Sequence, residues 1–133
     1  MRQRAPVFHT WRGEREVTLP LRKLGTTEAW TWLSKGSKKE DPEGLMFVPF
    51  GVFTKAHWHA PREDFRLIQG KASARVGSRS AWKTLSKNKK LVVGKRKVHS
   101  FRATSREGAW IYFRFKGYKK PWSTMRYHFT KKQ

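Results

Sequence analysis

The chain contains no cysteine, which excludes a disulfide framework and any thiolate metal site, so a bound metal would have to sit on His, Asp or Glu. Acidic residues are also scarce. Nine Asp and Glu stand against 31 Lys and Arg, a formal net charge of +22. No apolar run approaches the roughly 20 residues of a membrane span, and the N-terminus lacks the apolar core of a secretory signal. An intracellular protein of the cytoplasm or an organelle matrix, not bound to membrane, is therefore expected. Arg2, Arg4, Arg12 and Arg15 would suit an organelle presequence, but Glu14 and Glu16 interrupt them, and such segments are poor in acids. Long helical periodicity and internal repeats are missing as well. What is present in quantity is aromatic surface: 7 Trp, 3 Tyr and 9 Phe in 133 residues. A chain so rich in rings has a core to bury and is not disordered, and its length suits one domain.

The charge is asymmetric. Six of the nine acids lie at or before Glu43, and after Asp64 there are 20 Lys or Arg against one acid, Glu107. Repulsion at that density disfavours the compact state, and a polyanionic partner is the simplest compensation.

Along the chain, residues 1–15 mix Arg, Pro and aromatics without periodicity and read as an N-terminal arm or edge segment. Glu16 to Leu24 alternates Val17, Leu19 and Leu21 with Thr18, Pro20 and Arg22, a strand pattern in which proline favours a sheet edge. Trp30 to Leu33 is a further strand candidate. Lys35 to Gly44 has the turn residues and mixed charge of a mobile loop, and Leu45 to Phe50 has the composition of a buried strand. Phe65 to Gln69 and Lys71 to Val76 flank Gly70 like two strands joined at a tight bend. Trp82 to Leu85, Leu91 to Val93, His99 to Ala103 and Trp110 to Phe115 follow at short intervals. In the last, Ile111, Phe113 and Phe115 form one apolar face opposite Tyr112, Arg114 and Lys116. Short, evenly spaced strands predict an all-β sandwich or barrel over 16–116, with 117–133 a basic tail that wraps over the barrel or reaches a partner.

His57 and His59 are two residues apart, which in a strand points both imidazoles to one face. Glu63 follows four later, and Gly51 and Gly70 frame the segment. Gly51, His57, His59, Glu63 and Gly70 together resemble the first conserved motif of the cupin family at all its defining positions. His99 stands where a second cupin motif would supply one more histidine. That second motif matches only at His99: its leading Gly falls at Asn88, its Pro at Gly94, its second Gly at Arg96 and its trailing Asn at Ala103. A large cation in place of glycine implies that the loop before His99 departs from the family conformation. The resemblance covers about Gly51 to Phe115. It implies a jelly-roll β-barrel of two antiparallel sheets, with His57, His59, Glu63 and His99 ligating one divalent transition metal. Three imidazoles and a carboxylate suit Fe, Mn, Ni, Co or Zn. His9 and His128 match nothing and read as surface or packing residues.

A second constellation is basic and aromatic. Lys83, Lys87, Lys89, Lys90, Lys95, Arg96 and Lys97 flank the strand Leu91 to Val93 as a cationic rim able to bind phosphate backbones without reading bases. Tyr118 and Trp122, among Lys116, Lys119 and Lys120, suit either base stacking or packing, as does Trp82; Trp58 and Trp110 read as core. Two functions follow. In one, a metal-binding cupin barrel associates with RNA or another polyanion, as in a ribonucleoprotein such as an organellar ribosome, with protein partners or a second copy alongside. In the other, a metal-dependent cupin enzyme of dioxygenase, isomerase, epimerase or lyase type acts on a small polar or anionic substrate. Charge favours the first and the full ligand set the second. A small-molecule site needs only a few cations, so charge alone tips the balance to the first.

Overall fold

The computed structural model describes residues 2–11, 13–15, 18–20 and 28–130. Fourteen strands and a single 3₁₀ turn, Trp122–Thr124, make up the regular structure of this part of the chain. Four short strands come first: β1 (Arg2–Arg4), β2 (Phe8–Thr10), β3 (Gly13–Arg15) and β4 (Thr18–Pro20). The barrel strands are β5 (Ala29–Ser34), β6 (Glu43–Val48), β7 (His57–Trp58), β8 (Glu63–Gly70), β9 (Ala72–Val76), β10 (Lys83–Thr84), β11 (Lys90–Val93), β12 (His99–Ala103), β13 (Ala109–Arg114) and β14 (His128–Phe129). They form two five-stranded sheets in the orders β10-β9-β12-β7-β14 and β11-β8-β13-β6-β5, every pair antiparallel. This is the two-sheet jelly roll that the strand spacing and the motif resemblance imply.

The core between the sheets follows from the period of two. Phe65 and Leu67 of β8, Ala72 and Ala74 of β9, Phe101 and Ala103 of β12, and Ile111 and Phe113 of β13 all point inward and are buried. Each ring so enclosed contributes about 1.5–3 kcal/mol. The glycines that frame the motif have a conformational reason: Gly51 and Gly70 stand at φ +81° and +83°, where an L side chain is strained. At Gly70 a Cβ would also collide with the carbonyl oxygen of Gly108.

Several expectations need correction. Alternation puts Tyr112 on a polar outer face, yet it is buried against Leu45, Phe47, Ile68, Ala5 and Phe8 in a second apolar cluster, together with Trp110, which is core as expected. The outer face of the β13 sheet is dry because the N-terminal segment lies over it. Phe8 and Trp11 pack on the Tyr112 ring at 5.4 and 4.5 Å, so residues that read as an arm are partly structural. β2 pairs with β3 and β1 with β4. Of the strand expected over Glu16 to Leu24, only Thr18–Pro20 falls among the described residues. β6 begins at Glu43, two residues before its expected start, and its strand geometry ends at Val48 because Pro49 has no N–H for a ladder.

The Lys35–Gly44 loop is anchored at its end by Asp41, which is buried. Its carboxylate accepts hydrogen bonds from the Arg114 guanidinium (3.0 Å) and from the N–H groups of Gly117 (3.1 Å) and Lys119 (3.3 Å). The basic tail returns to the barrel: β14 pairs with β7, His128 opposite Trp58 and Phe129 opposite His57. Finally, the loop before His99 keeps the backbone that glycine favours despite its side chains, with Asn88 at φ +63° and Arg96 at φ +62°. The left-handed region costs a non-glycine residue about 1 kcal/mol, and the Arg96 N–H donates to the His59 carbonyl at 2.9 Å, holding the turn.

Candidate metal centre

The register of two adjacent strands builds the centre. His99 at the start of β12 sits directly opposite His57 in β7, His59 follows on the same face as His57, and Glu63 opens β8 after the bend at Pro61. The ring centroids of His57 and His99 are 4.5 Å apart, those of His59 and His99 5.0 Å, and those of His57 and His59 5.6 Å. All four side chains are buried, and each offers a ligand atom within 4.8 Å of the other three.

The backbone fixes the imidazole orientation. His57 Nδ1 faces the Lys55 carbonyl at 2.9 Å, His59 Nδ1 the Pro61 carbonyl at 2.8 Å, and His99 Nδ1 the Lys97 carbonyl at 2.9 Å. A carbonyl only accepts, so the network assigns the proton of each ring to Nδ1 and leaves an Nε2 lone pair facing the interior. This is the outer hydrogen bond by which metal-ligating histidines are oriented.

Two consequences follow. The buried His99 Nε2 has no hydrogen-bond partner; it lies 3.4 Å from Glu63 Oε1, within ion-pair reach but too far for a well-aligned hydrogen bond. His59 Nε2 lies 2.8 Å from the same oxygen, so two acceptors confront each other unless a proton or a cation sits between them. The donor set thus fits a divalent cation: three neutral nitrogens and one carboxylate, converging in a dry site where unpaired polar atoms are expensive.

The electrostatics agree. Burial, reinforced by neighbouring His99, pushes the His57 imidazole down to about 4, so its lone pair is free at neutral pH. Burial alone would raise the Glu63 carboxyl, but the close contact with the His59 ring and the adjacent His99 outweigh it and hold the group below the usual carboxylate range. The site is also tight. A cavity of about 10 Å³ adjoins it, lined by Trp30, Met46, Thr54, Phe65 and Phe101 together with His57, Glu63 and His99, room for about one water. On another side the Tyr127 ring stacks on His57 at 5.1 Å and 21° and lies 5.5 Å from His59. Burial and the Glu63 charge both push the Tyr127 hydroxyl up.

Tyr127 and β14 are what sequence reasoning missed. The signal was there: Met125, Tyr127 and Phe129 alternate with Arg126, His128 and Thr130, a strand pattern obscured by the surrounding cations. His128 is exposed and stacks on the half-buried Trp58 at 4.0 Å; His9 is exposed.

The basic residues fall into separate groups. Lys83, Lys89 and Lys90 line one cleft of about 340 Å³ between the edge strands β10 and β11. Lys87 lines a different hollow with Arg66 and Phe8, and Lys95, Arg96 and Lys97 occupy the exposed β11–β12 turn. Lys116, Lys119 and Lys120 are exposed on the loop after β13. The two aromatics of that loop are engaged within the chain. Trp122 stacks on Trp32 at 5.1 Å, and Tyr118 packs on the core with its hydroxyl 2.6 Å from that of Thr124.

The sequence by itself matches no protein-family model and no curated protein. The fold does have counterparts. An uncharacterised conserved protein with a double-stranded β-helix domain from Klebsiella pneumoniae superposes with a TM-score of 0.63 at 13% identity, covering 80% of this chain and 86% of its own. The cupin domain of Schizosaccharomyces pombe Cnp3 gives 0.58 at 17% identity, covering 85% of each chain. Salicylate 1,2-dioxygenase from Pseudoaminobacter salicylatoxidans, solved with gentisate, gives 0.64 at 14% identity, over 79% of this chain and 29% of the enzyme. The fold is therefore the cupin double-stranded β-helix, carrying a buried His/Glu group that could hold a metal ion.

Proposed function

We propose that this protein is a metal-dependent cupin-fold enzyme acting on a small polar or anionic substrate, with His57, His59, Glu63 and His99 holding one divalent transition metal. The observation that carries the reading is the convergence of three Nε2 lone pairs and a carboxylate in a buried site, with His99 Nε2 otherwise unpartnered. A bound metal would supply Lewis-acid polarisation of a substrate oxygen. The Lys55, Pro61 and Lys97 carbonyls hold the three rings in position, and Tyr127 with Phe115 screens His59 from water. That a cupin-fold neighbour is a dioxygenase agrees with this reading. The test is elemental analysis of purified protein before and after His57→Ala/His59→Ala. One metal per chain should fall to none while the β spectrum is retained; unchanged occupancy in the double variant overturns the assignment.

A second reading, association with RNA as in a ribonucleoprotein, rests on where the acids go. Asp41, Glu43, Glu63 and Asp64 are all buried, engaged with Arg114, Tyr112, His59 and Arg62 respectively. Among the acids whose side chains are described, Glu40 and Glu107 are exposed and Glu28 is half-buried, so this part of the surface is still more cationic than the composition. Changing Lys83, Lys89 and Lys90 together to Ser should weaken RNA binding and flatten its salt dependence, whose slope is about 0.7 per phosphate contact on single strands. Absence of binding near physiological salt, or binding without a salt slope, removes this reading.

A further inference from the structure

Beside the metal site lies a second, larger cavity of about 320 Å³, walled by Trp30, Trp32, Trp122 and Tyr127. Its walls come from β5 and the C-terminal segment, outside the stretch that carries the cupin resemblance. Trp30 also lines the small cavity against the ligands, and Tyr127 also stacks on His57. Two side chains therefore separate this pocket from the metal site.

The rings are held in place without a guest. Trp122 stacks on Trp32, its backbone N–H donates to the Lys35 carbonyl at 2.7 Å, and Trp30 and Trp32 meet Phe113 edge-on at 5.1 and 5.3 Å. Even so, Trp30 and Trp122 remain 37% and 38% exposed, a large apolar cost in a preformed hollow of ligand size. An aromatic box can take a cation or a flat ring. Among the described residues no acidic side chain lines it, the nearby Glu28 carboxylate being taken up by a hydrogen bond with Trp30, and a chain of net charge +22 repels cations while drawing in anions.

We infer that the pocket binds a small planar aromatic molecule, neutral or anionic, as the ring of the substrate processed at the adjoining centre. The link to the centre rests on the metal-enzyme reading; ring binding does not require the metal. The experiment is calorimetric titration of the full chain, both as purified and after chelator treatment, with 2-naphthoate, 2-naphthol, cyclohexanecarboxylate and tetramethylammonium. Both naphthalene probes should bind saturably with and without metal, and the non-aromatic acid should bind about tenfold more weakly or worse. Trp122→Ala should weaken 2-naphthoate by about tenfold or more, Trp122→Phe much less, and Phe50→Ala, an exposed ring outside the pocket, not at all. In the unmodified protein, nuclear Overhauser contacts should join the naphthalene protons to the Trp122 indole, which decides the matter should Trp122→Ala not fold. No saturable naphthoate binding, equal binding by Trp122→Ala, absent contacts, or a preference for tetramethylammonium overturns the inference. Naphthoate binding that survives His57→Ala/His59→Ala, whatever the metal content of that variant, separates the fate of the pocket from that of the metal centre.

Discussion

Replacing Glu63 by Gln separates a ligand from a packing residue. The amide keeps the volume of the carboxylate and one acceptor oxygen, so the contact with His59 Nε2, now 2.8 Å, can persist. What is lost in the metal-free protein is the charge assistance, a difference of about 1 kcal/mol between a charged and a neutral hydrogen bond. For a chain of 133 residues the unfolding entropy is about 0.3 kcal/mol per kelvin, so that loss lowers Tm by about 3–4 °C. With metal the effect is larger. At free metal a hundredfold above Kd, wild-type protein gains about 2.7 kcal/mol, or about 10 °C by the same entropy. Glu63 is the one anionic ligand of the set, and without it three neutral nitrogens face a dication in a dry site. The metal-dependent rise should therefore shrink to a degree or two in Glu63→Gln, read by calorimetric melts with and without added metal. If the variant melts lower yet keeps the full rise and one metal per chain, Glu63 is a packing residue and the ligand set is wrong.

Three further outcomes follow from other parts of the molecule. Asp41→Ala strips the buried Arg114 contact and leaves the Gly117 and Lys119 N–H groups without their acceptor, which should cost about 3–5 kcal/mol in urea unfolding; a loss below 1 kcal/mol would show that the loop is not anchored there. Gly70→Ala combines a φ of +83° with collision against the Gly108 carbonyl and should destabilise by about 2 kcal/mol or more, whereas Gly13→Ala, where a Cβ meets nothing within 4 Å, should cost less. Metal-free protein should lose stability as pH falls from about 6.5 to about 4, because the unfolded chain protonates His57 across that window while the fold, holding it near 4, does not. The loss from this group has a slope of at most about 1.4 kcal/mol per pH unit and vanishes above pH 6.5 or so; a His57→Phe variant should flatten it, and an unchanged slope would place the titration elsewhere.

The four residues of the candidate metal centre were legible in the sequence through the motif resemblance, and strand geometry supplied only the His57–His59 pair. The two-residue spacing of His57 and His59 states a common face once the segment is extended, and Gly51 and Gly70 stand at positive φ, where glycine is favoured. Pairing partners are not written that way. The register that sets His99 opposite His57, or Phe129 opposite it on the other side, comes from contacts distant in sequence. Strand β14 was lost among lysines and arginines for that reason, and with it Tyr127, the wall between the centre and the aromatic pocket. Arg96 shows the opposite failure. Its side chain argued against a left-handed turn, but the hydrogen bond to the His59 carbonyl offsets a strain of about 1 kcal/mol, so a local rule was overruled by one tertiary contact.

The same distinction governs charge. Composition counts charges but does not say which side of the surface they occupy, and here the two matter in opposite ways. Asp41 and Asp64 are buried beneath the partly exposed Arg114 and Arg62, so each offsets the cation beside it and leaves the net balance alone. Burial of Glu63 among histidines removes negative charge from the surface with no lysine or arginine recorded against it. The outer field is therefore more positive than the count, yet the buried carboxylate that sharpens it is the ligand a dication needs. If Glu63 is engaged by metal, one acid serves two ends: it completes an interior cation site, and its withdrawal leaves the exterior attractive to anions, whether a phosphate backbone along the lysine cleft or an anionic ring approaching the tryptophan pocket. Raising ionic strength should then slow the association of 2-naphthoate while leaving that of 2-naphthol unchanged. Equal salt dependence for the two probes in stopped-flow mixing would show that the surface field does not steer ligands to this pocket.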